Sequence, residues 1–161
     1  MRTLVVSDFH LGSRLGHDVL RRPESLGRLL DALEGIDRLV LLGDVVELTE
    51  GRPQQALRVA EPVLREIGSR LGGDRSVTIV PGNHDAPLVQ AWVRAQGSAL
   101  SPSSPVPRSA SPALAQIADW LAPARVQIRY PGAWLSERVW ATHGHYLDQH
   151  LLPESAYGLL G

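Results

Sequence analysis

The hydrophobic positions change their period several times along the chain. Thr3-Leu4-Val5-Val6 is a short apolar run that reads as a buried first strand, ending at Ser7-Asp8-Phe9-His10-Leu11-Gly12. From Pro23 the spacing lengthens: Leu26, Leu29, Leu30 and Leu33 fall at i, i+3, i+4 and i+7, one face of a helix that begins at Pro23 and stops at Gly35. Arg38-Leu39-Val40-Leu41-Leu42 is a second continuous apolar strand and runs into Gly43-Asp44-Val45-Val46-Glu47. A second helical stretch, from about Pro53 to Leu71, carries Leu57, Ala60, Leu64, Ile67 and Leu71 on one face, with Pro62 expected to kink or split it. Ser76 to Val80 is a third strand and leads into Pro81-Gly82-Asn83-His84-Asp85.

Fully apolar strands alternating with helices predict an α/β fold with a parallel sheet covered by helices. In such sheets ligands bind beyond the carboxyl ends of the strands, which is where all three polar clusters fall. Further on, Leu88 to Ala95 predicts a short helix and Ala113 to Leu121 another. Between them the Ser- and Pro-rich stretch from Gly97 to Ser111 reads as an exposed connector, or as a lid over the site. Arg125 to Tyr130 and Arg138 to Thr142 read as two more strands, the second leading into His143-Gly144-His145-Tyr146-Leu147-Asp148. After Pro153 the apolar tail from Leu151 to Leu160 reads as the opening of a helix.

Composition narrows the picture mainly by exclusion. A length of 161 residues predicts one domain, residues 1 to 161, and 43% hydrophobic with 20% charged residues is ordinary for a soluble globular chain. The net charge of −1 leaves no broad basic face and argues against nucleic acid as a partner. The absence of Cys removes disulfides, thiolate catalysis and cysteine zinc sites. The N-terminus runs directly into a strand with no signal-peptide core, and the apolar run Leu39 to Leu42 is too short to span a bilayer. A cytoplasmic location is expected.

Four polar clusters follow four apolar strands: Asp8 with His10, Asp44 with Glu47, Asn83 with His84 and Asp85, and His143 with His145. Each alone has an ordinary explanation, since Gly, Asn and Asp make turns and a lone histidine beyond a strand is more often hydrogen-bonded structure than a ligand. Together they place carboxylate, imidazole and amide donors at one sheet edge. That donor set suits Mn, Fe, Co, Ni or Zn rather than a soft thiolate metal.

Asp8-x-His10, Gly43-Asp44, Gly82-Asn83-His84-Asp85 and the later His143-Gly144-His145 resemble, in order and spacing, the calcineurin-like metallophosphoesterases. The resemblance covers about residues 3 to 148 and implies an α/β/β/α sandwich with a dinuclear site of two divalent metal ions at one end. It implies that Asp8 and His10 hold the first metal, that Asp44 bridges the two, and that Asn83 with His143 holds the second. His84 would be the general acid or transition-state stabiliser, with Glu47 or Asp85 orienting it. Two cations about 3.5–4 Å apart can share a hydroxide activated for attack on phosphorus at neutral pH. The implied reaction is hydrolysis of a small phosphomonoester, phosphodiester or pyrophosphate.

One block departs from the pattern. The family's last motif is Gly-His-x-His, whereas Gly144-His145-Tyr146-Leu147 has Leu at the second position, and Thr142-His143-Gly144-His145 looks more like the preceding single-histidine block. The resemblance then implies a fold incomplete at its C-terminus. Two other readings stay open. His145 or His150 can serve as substitute ligand, or the chain is a degenerate member, a non-catalytic scaffold that self-associates through its apolar tail.

Overall fold

The apolar runs form strands, and the leucine-striped segments between them form helices: β1 (Thr3–Val6), α1 (Pro23–Ala32), β2 (Arg38–Leu42), α2 (Pro53–Leu71) and β3 (Ser76–Val80). They are followed by α3 (Gln90–Gln96), β4 (Ser103–Pro105), α4 (Pro112–Trp120), β5 (Arg125–Ser136) and β6 (Val139–Thr142). The computed structural model describes residues 1–147. His150 and the 151–160 tail, read above as a substitute ligand and an association surface, lie outside the described residues.

β1, β2, β3 and the first third of β5 pair in parallel, with Val5, Val40, Thr78 and Gln127 aligned across the ladder. Side chains alternate between the two faces of a strand. One face therefore presents Leu39, Leu41, Val77, Ile79 and Ile128, which join Leu30, Leu33, Ala60, Leu64, Ile67, Leu114 and Ile117 of the helices in a single core. Each fully buried Leu or Ile there contributes about 1.5–3 kcal/mol relative to exposure. The other face presents Arg38, Val40, Thr78 and Gln127 and is covered differently. Ile128 is level with Ile79, yet the carbonyls of Trp134 and Leu135 accept from the Arg38 guanidinium at the start of β2. The chain has therefore doubled back at Pro131-Gly132, laying the β5–β6 hairpin over that face. β6 then returns toward the carboxyl ends of the sheet and delivers His143 there. Helices on one face and a β-hairpin on the other accord with the expected sandwich.

Four local expectations are corrected. Among the described residues β1 is an edge strand, paired only with β2, and Val5 is 38% exposed instead of buried. α2 runs through Pro62 without the split that is one of the two expectations there, because Pro62 and Arg58 lie on the exposed side, where water can serve the Arg58 carbonyl that Pro62 leaves unbonded. The strand expected to end at Tyr130 continues to Ser136. The Ser/Pro-rich stretch is not simply an exposed connector. It contains β4, an edge strand antiparallel to β5 whose Ser104 is buried and takes the Ser101 amide on its hydroxyl. An edge position tolerates Pro105, which has no amide to donate. Among the described residues no helix is long and apolar enough to cross a membrane.

Candidate metal centre

The site is assembled by continuing the sheet pairing beyond the strands. Asp8 N–H donates to the Gly43 carbonyl at 3.1 Å, His10 N–H to Asp44 at 2.8 Å, Leu11 N–H to Val45 at 3.0 Å and Glu47 N–H to Leu11 at 3.0 Å. The β1 and β2 loops are thus joined residue by residue, and the join bends sharply. Asp8, His10 and Asp44 have φ of 58°, 43° and 54°, the left-handed region that non-glycine residues rarely occupy. Strain concentrated at three chemistry-bearing residues marks a place where side-chain direction outweighs local backbone preference.

The turn after β3 is locked onto this pair of loops. Asp85 is wholly buried, and its two carboxylate oxygens accept from Gly82 N–H and from Val45 N–H at 2.8 Å. Asp44 Oδ1 accepts from His84 N–H at 2.8 Å, while the His84 carbonyl accepts from Leu48 N–H at 3.1 Å. Burial, followed by the charge of nearby Asp44, pushes the Asp85 carboxyl up to about 6. Gly82 passes so close that a Cβ there would overlap the Asp44 carboxylate and lie 2.7 Å from its backbone nitrogen. Gly82→Ala is accordingly expected to destabilise the metal-free protein by about 1–3 kcal/mol, read as a lower urea midpoint. An unchanged midpoint would show that this approach is not needed.

Four side chains converge in front of these turns. His143 Nε2 lies 3.5 Å from both Asp8 Oδ1 and Asp44 Oδ2, and His10 Nε2 lies 3.8 and 3.7 Å from the same two oxygens. Asp8, Asp44 and His143 form one set of donors close enough to share an ion, and His10, Asp44 and His84 form another, with Asp44 common to both. Among the described residues no arginine makes an ion pair with Asp8, Asp44 or Glu47. Hydroxyl and imidazole contacts from Ser7, His143 and His10 outweigh burial and hold the Asp8 carboxyl below its ordinary range. Hard oxygen donors and imidazoles, drawn together without a counter-cation, fit a divalent metal. The His143 ring in turn lies against Gly43, where a Cβ would overlap it.

Glu47 stands behind this cluster, almost fully buried. Its Oε2 is 2.6 Å from His84 Nδ1 and 3.0 Å from His10 Nδ1. Its Oε1 accepts from Thr49 N–H, Thr49 Oγ1 and Glu50 N–H. Burial alone would raise its pKa, but the Thr49 hydroxyl and the two imidazoles prevail and bring it down to about 2. Burial also acts to lower the His84 pKa. The Glu47 hydrogen bond and the charges of Asp44, Glu47 and Glu50 outweigh it, and the net direction is up.

The structure brings Asp8, His10, Asp44, His84 and His143 together and gives the remaining expected residues distinct places. Of the two orienting partners considered for His84, Glu47 makes the contact, whereas Asp85 braces the turn. Asn83 is half-buried between Gly82 and His84, and its amide makes no hydrogen bond among the described residues. His145 does not enter the donor sets. Its Nδ1 meets His143 Nδ1 at 2.7 Å, on the far side of that ring from the carboxylates. Burial, then the neighbouring charge of His143, lowers the His145 pKa to about 4. Sequence reading missed Ser7, Thr49 and Glu50, whose contributions depend on through-space contacts that no spacing announces.

The calcineurin-like phosphoesterase family matches residues 1–156, nearly the whole chain. A search of curated proteins returned no match. The family's metal-dependent phosphoester chemistry calls for oxygen and imidazole donors of the kind that the loops after β1, β2, β3 and β6 bring to one sheet edge. The chain belongs to the calcineurin-like phosphoesterase family.

Proposed function

We propose that this protein hydrolyses a small phosphomonoester, phosphodiester or pyrophosphate, with two divalent cations sharing Asp44 and with His84 as general acid. The observation that carries the reading is the division of labour on Asp44. One oxygen holds the His84 backbone, while the other faces both the His10 and the His143 Nε2 atoms. Asp8, His10, Asp44, Asn83 and His143 would hold the ions. When bound, they would supply positive charge for the phosphoryl oxygens and an activated water.

The chain's own groups do the rest. Glu47 fixes His84 through Nδ1 and favours its protonated form, so the Nε2 proton is available to a leaving-group oxygen. Glu50 belongs to the same carboxylate cluster as Glu47 and His84, and with Arg14 and Leu15 it lines a cavity of about 450 Å³. We place the leaving group in that cavity, which shares Glu50 with the His84 cluster. Asp85 keeps the turn rigid so that the backbone N–H of His84 stays on Asp44.

The test is metal content together with leaving-group dependence. Protein equilibrated with Mn²⁺ should bind close to two ions and hydrolyse p-nitrophenyl phosphate or its diester. His84→Ala should slow a substrate with an alkyl leaving group by about 10²–10⁴-fold. It should slow the p-nitrophenyl substrate much less, because p-nitrophenolate departs without a proton. Equal losses on both substrates would remove His84 from the acid role. A chain that binds one ion or none and turns over neither substrate would point to the scaffold instead.

A further inference from the structure

We propose that His145 is a positioning residue for His143: it accepts the Nδ1 proton of His143 and thereby keeps the opposite nitrogen bare and aimed at Asp8 and Asp44. This rests on the reading of His143 as a metal ligand. The two Nδ1 atoms are 2.7 Å apart, a distance that requires one proton between them. His143 Nε2, on the other side of its ring, lies 3.5 Å from both carboxylates. An imidazole that ligates through Nε2 must carry its proton on Nδ1, so His143 is the donor and His145 the acceptor.

The rest of the geometry follows from that assignment. A neutral His145 whose Nδ1 accepts must carry its own proton on Nε2. That atom is buried, in a residue only 3% exposed, and has no hydrogen-bond partner among the described residues. Leaving a buried donor unmatched is unfavourable, and a residue that merely filled space would be better apolar. The Tyr146 N–H to His143 carbonyl bond of 3.0 Å closes the turn that folds residue 145 back onto residue 143. Gly43 admits the His143 ring from the opposite side. His143 is therefore held by packing on one side and by a single hydrogen bond on the other. Second-layer bonds of this kind fix the tautomer and orientation of metal-ligating histidines.

Two variants separate the hydrogen bond from the packing. The Asn Oδ1 can stand where the His145 Nδ1 stands and accept the same proton, whereas Phe fills the space without an acceptor. Calorimetric titration with Mn²⁺ should show His145→Phe binding about 10–100-fold more weakly than wild type, with His145→Asn retaining most of the affinity. Nitrogen NMR of the wild type should show coupling between the two Nδ1 nuclei across the shared proton. Phe binding as tightly as wild type, or Asn losing as much as Phe, would overturn the proposal, and so would absence of the coupling. If Phe fails to fold, Asn and the coupling still decide. A wild-type protein that takes up no Mn²⁺ counts against the phosphoesterase reading, while the coupling, measured without metal, still reports on His145.

Discussion

Asp44→Asn is expected to reduce phosphoester hydrolysis by at least about 10³-fold while leaving the fold intact. The substitution is unusually well matched to its site. Asn, like Asp, tolerates the left-handed φ of 54° that Asp44 adopts, whereas most residues would add strain there. Its amide oxygen can keep the His84 N–H bond at Oδ1. What changes is the other atom. An amide NH2 replaces Oδ2, the oxygen that faces the Nε2 atoms of both His10 and His143, and cannot bind a cation. The charge that helps to raise the Asp85 pKa is removed as well, which favours folding near neutral pH, while its support for protonated His84 is lost. With the two opposed, the metal-free variant should keep a urea midpoint close to that of wild type. Activity, Mn²⁺ content and urea midpoint measured on the same preparation check all three points. Activity that survived with normal metal content would sink the shared-ligand role of Asp44.

Glu47→Gln should lower kcat by about 10²–10⁴-fold and weaken metal binding at the same time, although Glu47 is not itself a proposed ligand. The Gln oxygen can take over Oε1 and its three donors from Thr49 and Glu50. The NH2 then falls between His84 Nδ1 and His10 Nδ1, where Oε2 was, and donates to both. Each ring must answer by moving its proton to Nε2. For His10 that blocks the nitrogen that faces Asp8 and Asp44, and for His84 it removes the support for the protonated form. The pH dependence of folding changes too. Glu47 has its folded pKa depressed from 4.5 to about 2, so its contribution is present above pH 4.5 and lost as pH falls toward 2. This is worth up to about 3 kcal/mol in all, of which about 2 kcal/mol falls between pH 7 and pH 3 and should be missing from denaturation curves of Glu47→Gln over that range. A variant with full metal affinity and an unaltered acid limb would mean that the two rings orient themselves.

Much of this organisation was legible from residue order. The three apolar runs and two leucine faces set the strand–helix alternation, because burial on one or both sides dictates those periods locally. Asp8, His10, Asp44, His84 and His143 could be singled out because each follows such a run, and a parallel sheet brings carboxyl ends together whatever lies between them.

Other features were open until the chain was folded. Tyr130 reads as a strand end, but β5 turns over at Pro131-Gly132 because the opposite face of the sheet, with Val40 and Thr78, needs a cover that the helices cannot provide. The Ser/Pro-rich stretch looks like solvent-exposed loop until β5 offers it an edge to pair with. Glu47 and Asp85 were equivalent as partners of His84, and only through-space geometry separates them: one carboxylate reaches the imidazole, and the other is consumed by the amides of Gly82 and Val45.

The sequence by itself determined the strand–helix order, the donor types and the edge of the sheet at which they gather, since these follow from local periodicity and chain direction. Tertiary structure alone decided the hydrogen-bond partners: Glu47 between two imidazoles, Asp44 between a backbone amide and two ring nitrogens, His145 behind His143. Those pairings join residues from different loops. Their specificity comes from distances of about 3 Å that only the packed fold can set.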